Sequence, residues 1–141
     1  MQDLGGVQVS GFSDRVVQAG MALGPLPRSR PCLRSDLERA AQVALMQETI
    51  ARALDVPVNE LRSPTRQRAP VALARQVAMY LSHVALGLSL SAVGRHFGRD
   101  RTTAAHACRQ IEDRRDDRDF DLLLDRLERA VRCLAITLTR Q

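Results

Sequence analysis

Between residues 97 and 112 the chain reads FGRDRTTAAHACRQIE, which sets Arg99, Asp100, Arg101, Thr102 and Thr103 ahead of a run that also carries His106 and Arg109. On a helix starting near residue 100, Ala104, Ala107, Cys108 and Ile111 fall on one side. Arg99, Thr102, Thr103, His106 and Arg109 fall on the other. Those polar groups can do the chemistry that duplex DNA asks for. Arginine forks suit guanine edges or phosphates, threonine offers a hydroxyl and a methyl, and histidine adds a further donor.

The charge distribution bears on the same region. All 21 basic residues are arginine, which in part reflects coding bias and is weak evidence alone. From Arg62 to Arg109 there are eight arginines against one acid, Asp100, so this stretch carries +7 of a total of +5 and the remainder is net negative. A polyanion-binding surface and a merely solvated basic face both fit, and charge alone does not choose between them.

Catalytic chemistry finds no support. His83, His96 and His106 lack a paired metal-ligand spacing, and no nucleophile has a base beside it in the sequence. The expectation is a binder that is not an enzyme and needs no cofactor. Cys32, Cys108 and Cys133 are odd in number and widely spaced, with no CxxC pair. No secretory signal or long apolar span is visible. A cytoplasmic, nucleoid-associated protein with no membrane partner is expected. Cys108 and Cys133 are expected to be buried small hydrophobes.

The elements that must position these residues read as helices. With 141 residues, 45% hydrophobic content and only 3% aromatics, the chain suits one all-α domain with a tail. Residues 1–33 hold glycine and proline clusters without sustained periodicity and read as a flexible N-terminal arm, followed by a helical domain over 34–141. Ser35 and Glu38 are spaced as a capping box for a helix over about 36–54, with Leu37, Ala41, Ala44, Leu45, Ile50 and Leu54 as its apolar stripe. Pro57 ends it. A short helical turn and a basic loop follow, since Pro64 and Pro70 bar a regular helix between them. Further helices are expected near 71–86, stopped by Gly87, near 89–97, capped by Ser89 and closed by Gly98, and over 100–113. After the charged break EDRRDDRD, an amphipathic helix over about 120–139 carries Leu122, Leu123, Leu127, Val131, Leu134, Ile136 and Leu138. It is too apolar to stand free, so it should pack on the 36–54 helix or in a dimer contact.

A helix, a glycine-stopped turn, a short helix, a tight turn and a helix with a polar start make a helix-turn-helix, whose second helix fits the major groove. The block ARQVAMYLSHVALGLSLSAVGRHFGRDRTTAAHACRQIE moreover resembles the C-terminal DNA-binding domain of bacterial chromosomal replication initiators of the DnaA family. The resemblance covers roughly residues 50–113. It implies that the signature helix reads a short duplex box in the major groove while an arginine of the basic loop enters the adjacent minor groove. Arg99 then resembles the guanine-contacting arginine at the helix entrance. Asp100, Arg101, Thr102, Thr103, His106 and Arg109 lie at or beside positions that face bases or backbone. Arg75 and Gln76, in the matching ARQ, are candidate phosphate contacts, and Ser89 is a further DNA-binding candidate. Arg66 or Arg68 is the candidate for the minor groove.

Two departures bear on base preference. The family's FGGRD has lost one glycine here. Arg101 stands for its histidine, and Ala104 for a larger apolar residue able to touch a thymine methyl. No GxxxxGK[ST] phosphate loop occurs in the 141 residues, so no nucleotide is expected and a stand-alone DNA-reading domain is. The expected function is therefore sequence-specific double-stranded DNA binding, foremost by a transcription regulator. The small DnaA-domain-like regulators it resembles include activators of gene transfer agents. RNA polymerase or another regulator is a further candidate partner. The alternatives are a replication regulator at initiator boxes and an interaction module that has lost DNA binding.

Overall fold

The computed structural model describes residues 30–65 and 68–140, with side chains from residue 35 onward in those stretches. Among them are α1 (Arg30–Ala53), α2 (Val58–Arg62), α3 (Ala69–Val84), α4 (Leu90–Phe97), α5 (Arg101–Arg114) and α6 (Arg118–Thr139). No strand occurs among the described residues.

α3 is the central post. It packs against α2, α4, α5 and α6, and Val71, Ala74, Val77, Ala78, Met79, Tyr80, Leu81 and Ser82 along it are buried. So many small side chains let neighbours approach on several sides, and each fully buried Leu or Ile contributes about 1.5–3 kcal/mol. Leu81, Val93, Ile111 and Leu124 from four different helices meet in this core. The buried Ser82 hydroxyl is satisfied by donating to the Ala78 carbonyl at 2.8 Å. Pro70 sits in the first turn of α3, where its missing N–H removes no helical bond. Past the other end, Gly87 takes φ 69°, and the His83 ring donates through Nδ1 to the Leu88 carbonyl at 2.7 Å. Together they turn the chain into α4.

Three expectations about the outer helices need correction. α1 begins at Arg30, so Ser35 and Glu38 lie inside it rather than at its start, and the helix takes in residues 30–33 of the expected arm. The rest of the arm expected over 1–33, residues 1–29, lies outside the described residues. The buried stripe of α1 is Val43, Met46, Gln47, Ile50 and Ala51; of the expected stripe Ile50 is buried and Leu54 packs against the core, while Leu37, Ala41 and Ala44 are exposed. Leu37 is 72% exposed. Val43 and Met46, at i, i+3 spacing, take the core side in place of the smaller Ala41 and Ala44. α6, in turn, buries Leu124, Leu127 and Val131 and packs chiefly on α3. It meets α1 through Gln42, whose Nε2 donates to the Ala135 carbonyl at 3.5 Å and the Thr139 hydroxyl at 3.3 Å. Leu122, Ile136 and Cys133 face outward.

A residue outside every expectation ties α6 down. Arg115, just past α5, lies within 3.5–3.6 Å of Asp121, Asp125 and Glu128 on α6, and its guanidinium sits 5.6 Å from the centre of the Tyr80 ring of α3. Burial raises the Tyr80 pKa, an effect that Arg115 opposes. The acids recur at roughly helical spacing, so one arginine serves three partners on one face.

Candidate nucleic-acid interface

The geometry of α4, its turn and α5 is set by local chemistry. Ser89 caps α4, its hydroxyl accepting from the Ala92 N–H at 3.2 Å. At the other end Gly98 adopts φ 61°, the left-handed region that favours glycine. The Arg99 N–H then returns to the Gly94 carbonyl at 2.8 Å and the Gly98 N–H to Arg95 at 3.4 Å, the bond pair of a Schellman motif. A Cβ on Gly94 would lie 2.6 Å from the Arg99 carbonyl oxygen. Only a glycine lets α4 and the turn approach so closely. Asp100 then caps α5, its Oδ1 accepting the Thr103 N–H at 2.6 Å. Bonds from the Thr103 backbone and hydroxyl, with Arg99 nearby, hold its carboxyl below the usual carboxylate range. A turn shortened by one glycine thus still closes.

α5 presents the faces anticipated from its spacing. Ala104, Ala107, Cys108 and Ile111 are buried, and Arg101, Thr102, Thr103, His106 and Arg109 are exposed. Burial and the neighbouring Glu112 push the Cys108 thiol pKa up, as befits an inert core cysteine. Beside this helix a cleft of about 170 Å³ runs along α3, bordered by Arg75, Gln76, Arg99, Thr103, His106 and Gln110. Five of those six are among the expected site residues. Gln110 is new: its i+4 spacing from His106 and i+7 from Thr103 already put it on that stripe.

Several polar groups have assignments that the sequence did not foretell. Arg75, expected on phosphate, donates to the carbonyls of Leu61 at 3.0 Å, Glu60 at 3.0 Å and Ser63 at 2.7 Å. Its pKa is pulled down by burial first and by the Arg99 charge second. Gln76 donates its amide to Gln110 across the cleft. Arg99 reaches from the turn to the Pro64 carbonyl at 2.9 Å. Asp100 acts as the cap of α5, as Ser89 was expected to for α4. Arg68 lies 3.5 Å from Glu60, while Arg66 falls outside the described residues, so the choice between the two loop arginines is not made by geometry.

The surface is therefore a polar, arginine-lined helix face with a basic loop at one end. Among the described residues no group of three or more His, Cys, Asp or Glu side chains could hold a metal ion. No helix among them is long and apolar enough to cross a membrane.

Comparison with known proteins points the same way. Residues 43–111 match the family model described as the bacterial DnaA protein helix-turn-helix. The chain is 34% identical over 119 residues to the chromosomal replication initiator protein DnaA of Lactococcus lactis subsp. lactis strain IL1403, covering 78% of this chain and 26% of that protein. Against the DnaA of Mesorhizobium japonicum it is 43% identical over 81 residues, 57% of this chain and 16% of that one. It thus spans about a quarter or less of these relatives. Among solved structures, a DNA replication initiation factor superposes with a TM-score of 0.70 at 26% identity, covering 86% of this chain and 37% of the other. The replication initiator DnaA bound to AMPPCP and single-stranded DNA gives a TM-score of 0.67 at the same identity and coverage.

Proposed function

From the match of residues 43–111 to the bacterial DnaA helix-turn-helix family model we propose that the chain binds double-stranded DNA sequence-specifically and regulates transcription. The observation that carries this reading is α5: a capped helix whose apolar side is fully committed to the core and whose outer side offers Thr102, Thr103, His106 and Arg109 beside Arg99. A helix fits the major groove, where all four base pairs are distinguishable. The start of the basic loop, held at Pro64 by Arg99, lies beside the start of that helix, and in this reading Arg66 or Arg68 meets the neighbouring minor groove. Sequence preference then comes from α5, and the surrounding arginines supply the salt-dependent affinity of phosphate neutralisation.

In the free protein Arg99 rests on the Pro64 carbonyl. Forking onto a guanine exchanges that hydrogen bond for two charge-assisted ones, a net gain only where a guanine is present. Arg99→Ala should therefore cost about 1–3 kcal/mol on a site selected from random duplexes and relax preference at one base pair. Binding to unrelated DNA should fall far less. Unchanged affinity and preference in a folded Arg99→Ala protein would sink the groove assignment.

Replication control is the second reading, favoured by the likeness to replication initiators. Genome-wide mapping of bound sites separates the two. Promoter occupancy with altered transcription supports regulation, with genes of a gene transfer agent as the specific case to look for and RNA polymerase or another regulator as a partner. Occupancy of the origin alone supports replication control. Either role is that of a cytoplasmic, nucleoid-associated binder rather than an enzyme.

A further inference from the structure

The stretch from Ser63 to Arg68 carries two arginines, and its described residues Ser63, Pro64, Thr65 and Arg68 lie outside the helices. Beside the local bonds of Ser63 with Thr65 and Glu60, side chains from other elements hold it. Arg75 of α3 donates to the carbonyls of Glu60, Leu61 and Ser63, and Arg99 of the α4–α5 turn donates to that of Pro64. Four carbonyls within five residues thus receive guanidinium donors, where the end of α2 would otherwise leave carbonyls without helical partners. Glu60 extends the chain of support. Arg75 holds its backbone, its Oε1 lies 3.5 Å from the Arg68 guanidinium, and its Oε2 is buried with no hydrogen-bond partner. Glu60 thus pairs at its edge with Arg68, whose side chain stays largely exposed.

We propose that Arg75 is a positioning residue that locks the basic loop to the recognition helix at one spacing, so that the minor-groove and major-groove parts of a DNA site are read as a unit. This rests on the DNA-reading function proposed above. When Arg99 leaves Pro64 for a base, the three bonds from Arg75 to Glu60, Leu61 and Ser63 still tie the start of the loop to α3. The planar fork is essential to this role, because a lysine ammonium cannot reproduce its fixed donor directions toward three carbonyls. A phosphate ligand, by contrast, would tolerate lysine.

The test uses the full chain and a consensus selected from random duplexes, its minor-groove end located by footprinting. Inserting one base pair between the two ends should cost the unaltered protein about tenfold or more in affinity. Arg75→Lys should bind the intact site about tenfold more weakly and select a consensus reduced to the α5 end. The insertion should then cost it little. Its salt slope on nonspecific DNA should be unchanged, since the charge is kept. The proposal is overturned if the unaltered protein tolerates the insertion, or if Arg75→Lys keeps both the full consensus and the insertion penalty. Should Arg75→Lys fail to fold by circular dichroism, the insertion result on the unaltered protein decides alone. An unaltered protein that selects no consensus defeats the DNA-reading function itself, a distinguishable outcome.

Discussion

The recognition helix and the basic loop sit side by side, yet they are held in place by opposite means. The start of α5 is set by near neighbours, since the Gly98 turn, the Arg99 N–H on the Gly94 carbonyl and the Asp100 cap on Thr103 all lie within ten residues, while the body of the helix packs on α3. The loop and the end of α2 owe theirs to Arg62, Arg75 and Arg99, whose bonds span sequence separations of 12 to 35 residues. A segment fixed by its neighbours keeps its geometry when distant residues change. A segment fixed at long range loses it through one substitution elsewhere.

The sharpest way to break this contrast is at Gly94. In an ordinary helix, alanine for glycine gains about 1 kcal/mol from propensity. Here the added Cβ would meet the Arg99 backbone oxygen at 2.6 Å, and a backbone oxygen cannot swing aside as a side-chain tip can. Gly94→Ala should therefore lose about 1–3 kcal/mol by denaturant midpoint, and site preference should collapse as α5 is displaced. The loop bonds from Arg75 should survive. A variant as stable as the parent with unchanged site preference would show that α5 is not fixed by this approach.

The same contrast explains what was legible in the sequence. Local signals announced α4 and α5 well: Ser89 as a cap, Gly98 as a stop and the buried set Ala104, Ala107, Cys108 and Ile111. Asp100 was recognised as standing at the helix start but not as its cap, because a carboxylate there reads equally as a contact. In α1 the phase was misjudged, since alanines at 41 and 44 count as apolar on either side of an alanine-rich helix and burial follows the bulkier Val43 and Met46. Cys133 was misplaced for a related reason: a small apolar residue near the end of an amphipathic helix is tolerated outside the core. The engagements of Arg75 with three carbonyls and of Arg115 with three acids depend on tertiary proximity, and no spacing rule encodes it.

Arg62 offers a milder probe of the loop side. Its Nε donates to Gln47 Oε1 at 2.9 Å and its Nη2 to the Ala44 carbonyl at 3.3 Å, tying the end of α2 to α1. Both bonds are at least partly solvated, so Arg62→Met should cost about 1 kcal/mol or less. Amide exchange should quicken across residues 58–65 and stay unchanged along α5. Equal acceleration in α5 would mean that the two segments share one support.

The smallest effect belongs to Asp100 and separates a cap from a DNA contact. Its carboxyl titrates below the ordinary range because the ionised form accepts the Thr103 N–H, which makes its contribution to stability present above the unfolded-state pKa of about 3.9 and lost as pH falls through the lower folded value. Asparagine retains an acceptor for the same N–H but does not titrate. The unaltered protein should therefore exceed Asp100→Asn slightly in thermal stability near neutrality, and the gap should close under acid. A pH-independent gap would deny the ionised cap. DNA binding gives the complementary reading. If the carboxylate only caps, Asp100→Asn removes a negative charge from a phosphate-facing helix start and affinity should hold or rise at every sequence. If it accepts a hydrogen bond from a cytosine amino group, affinity should fall and preference relax at one base pair.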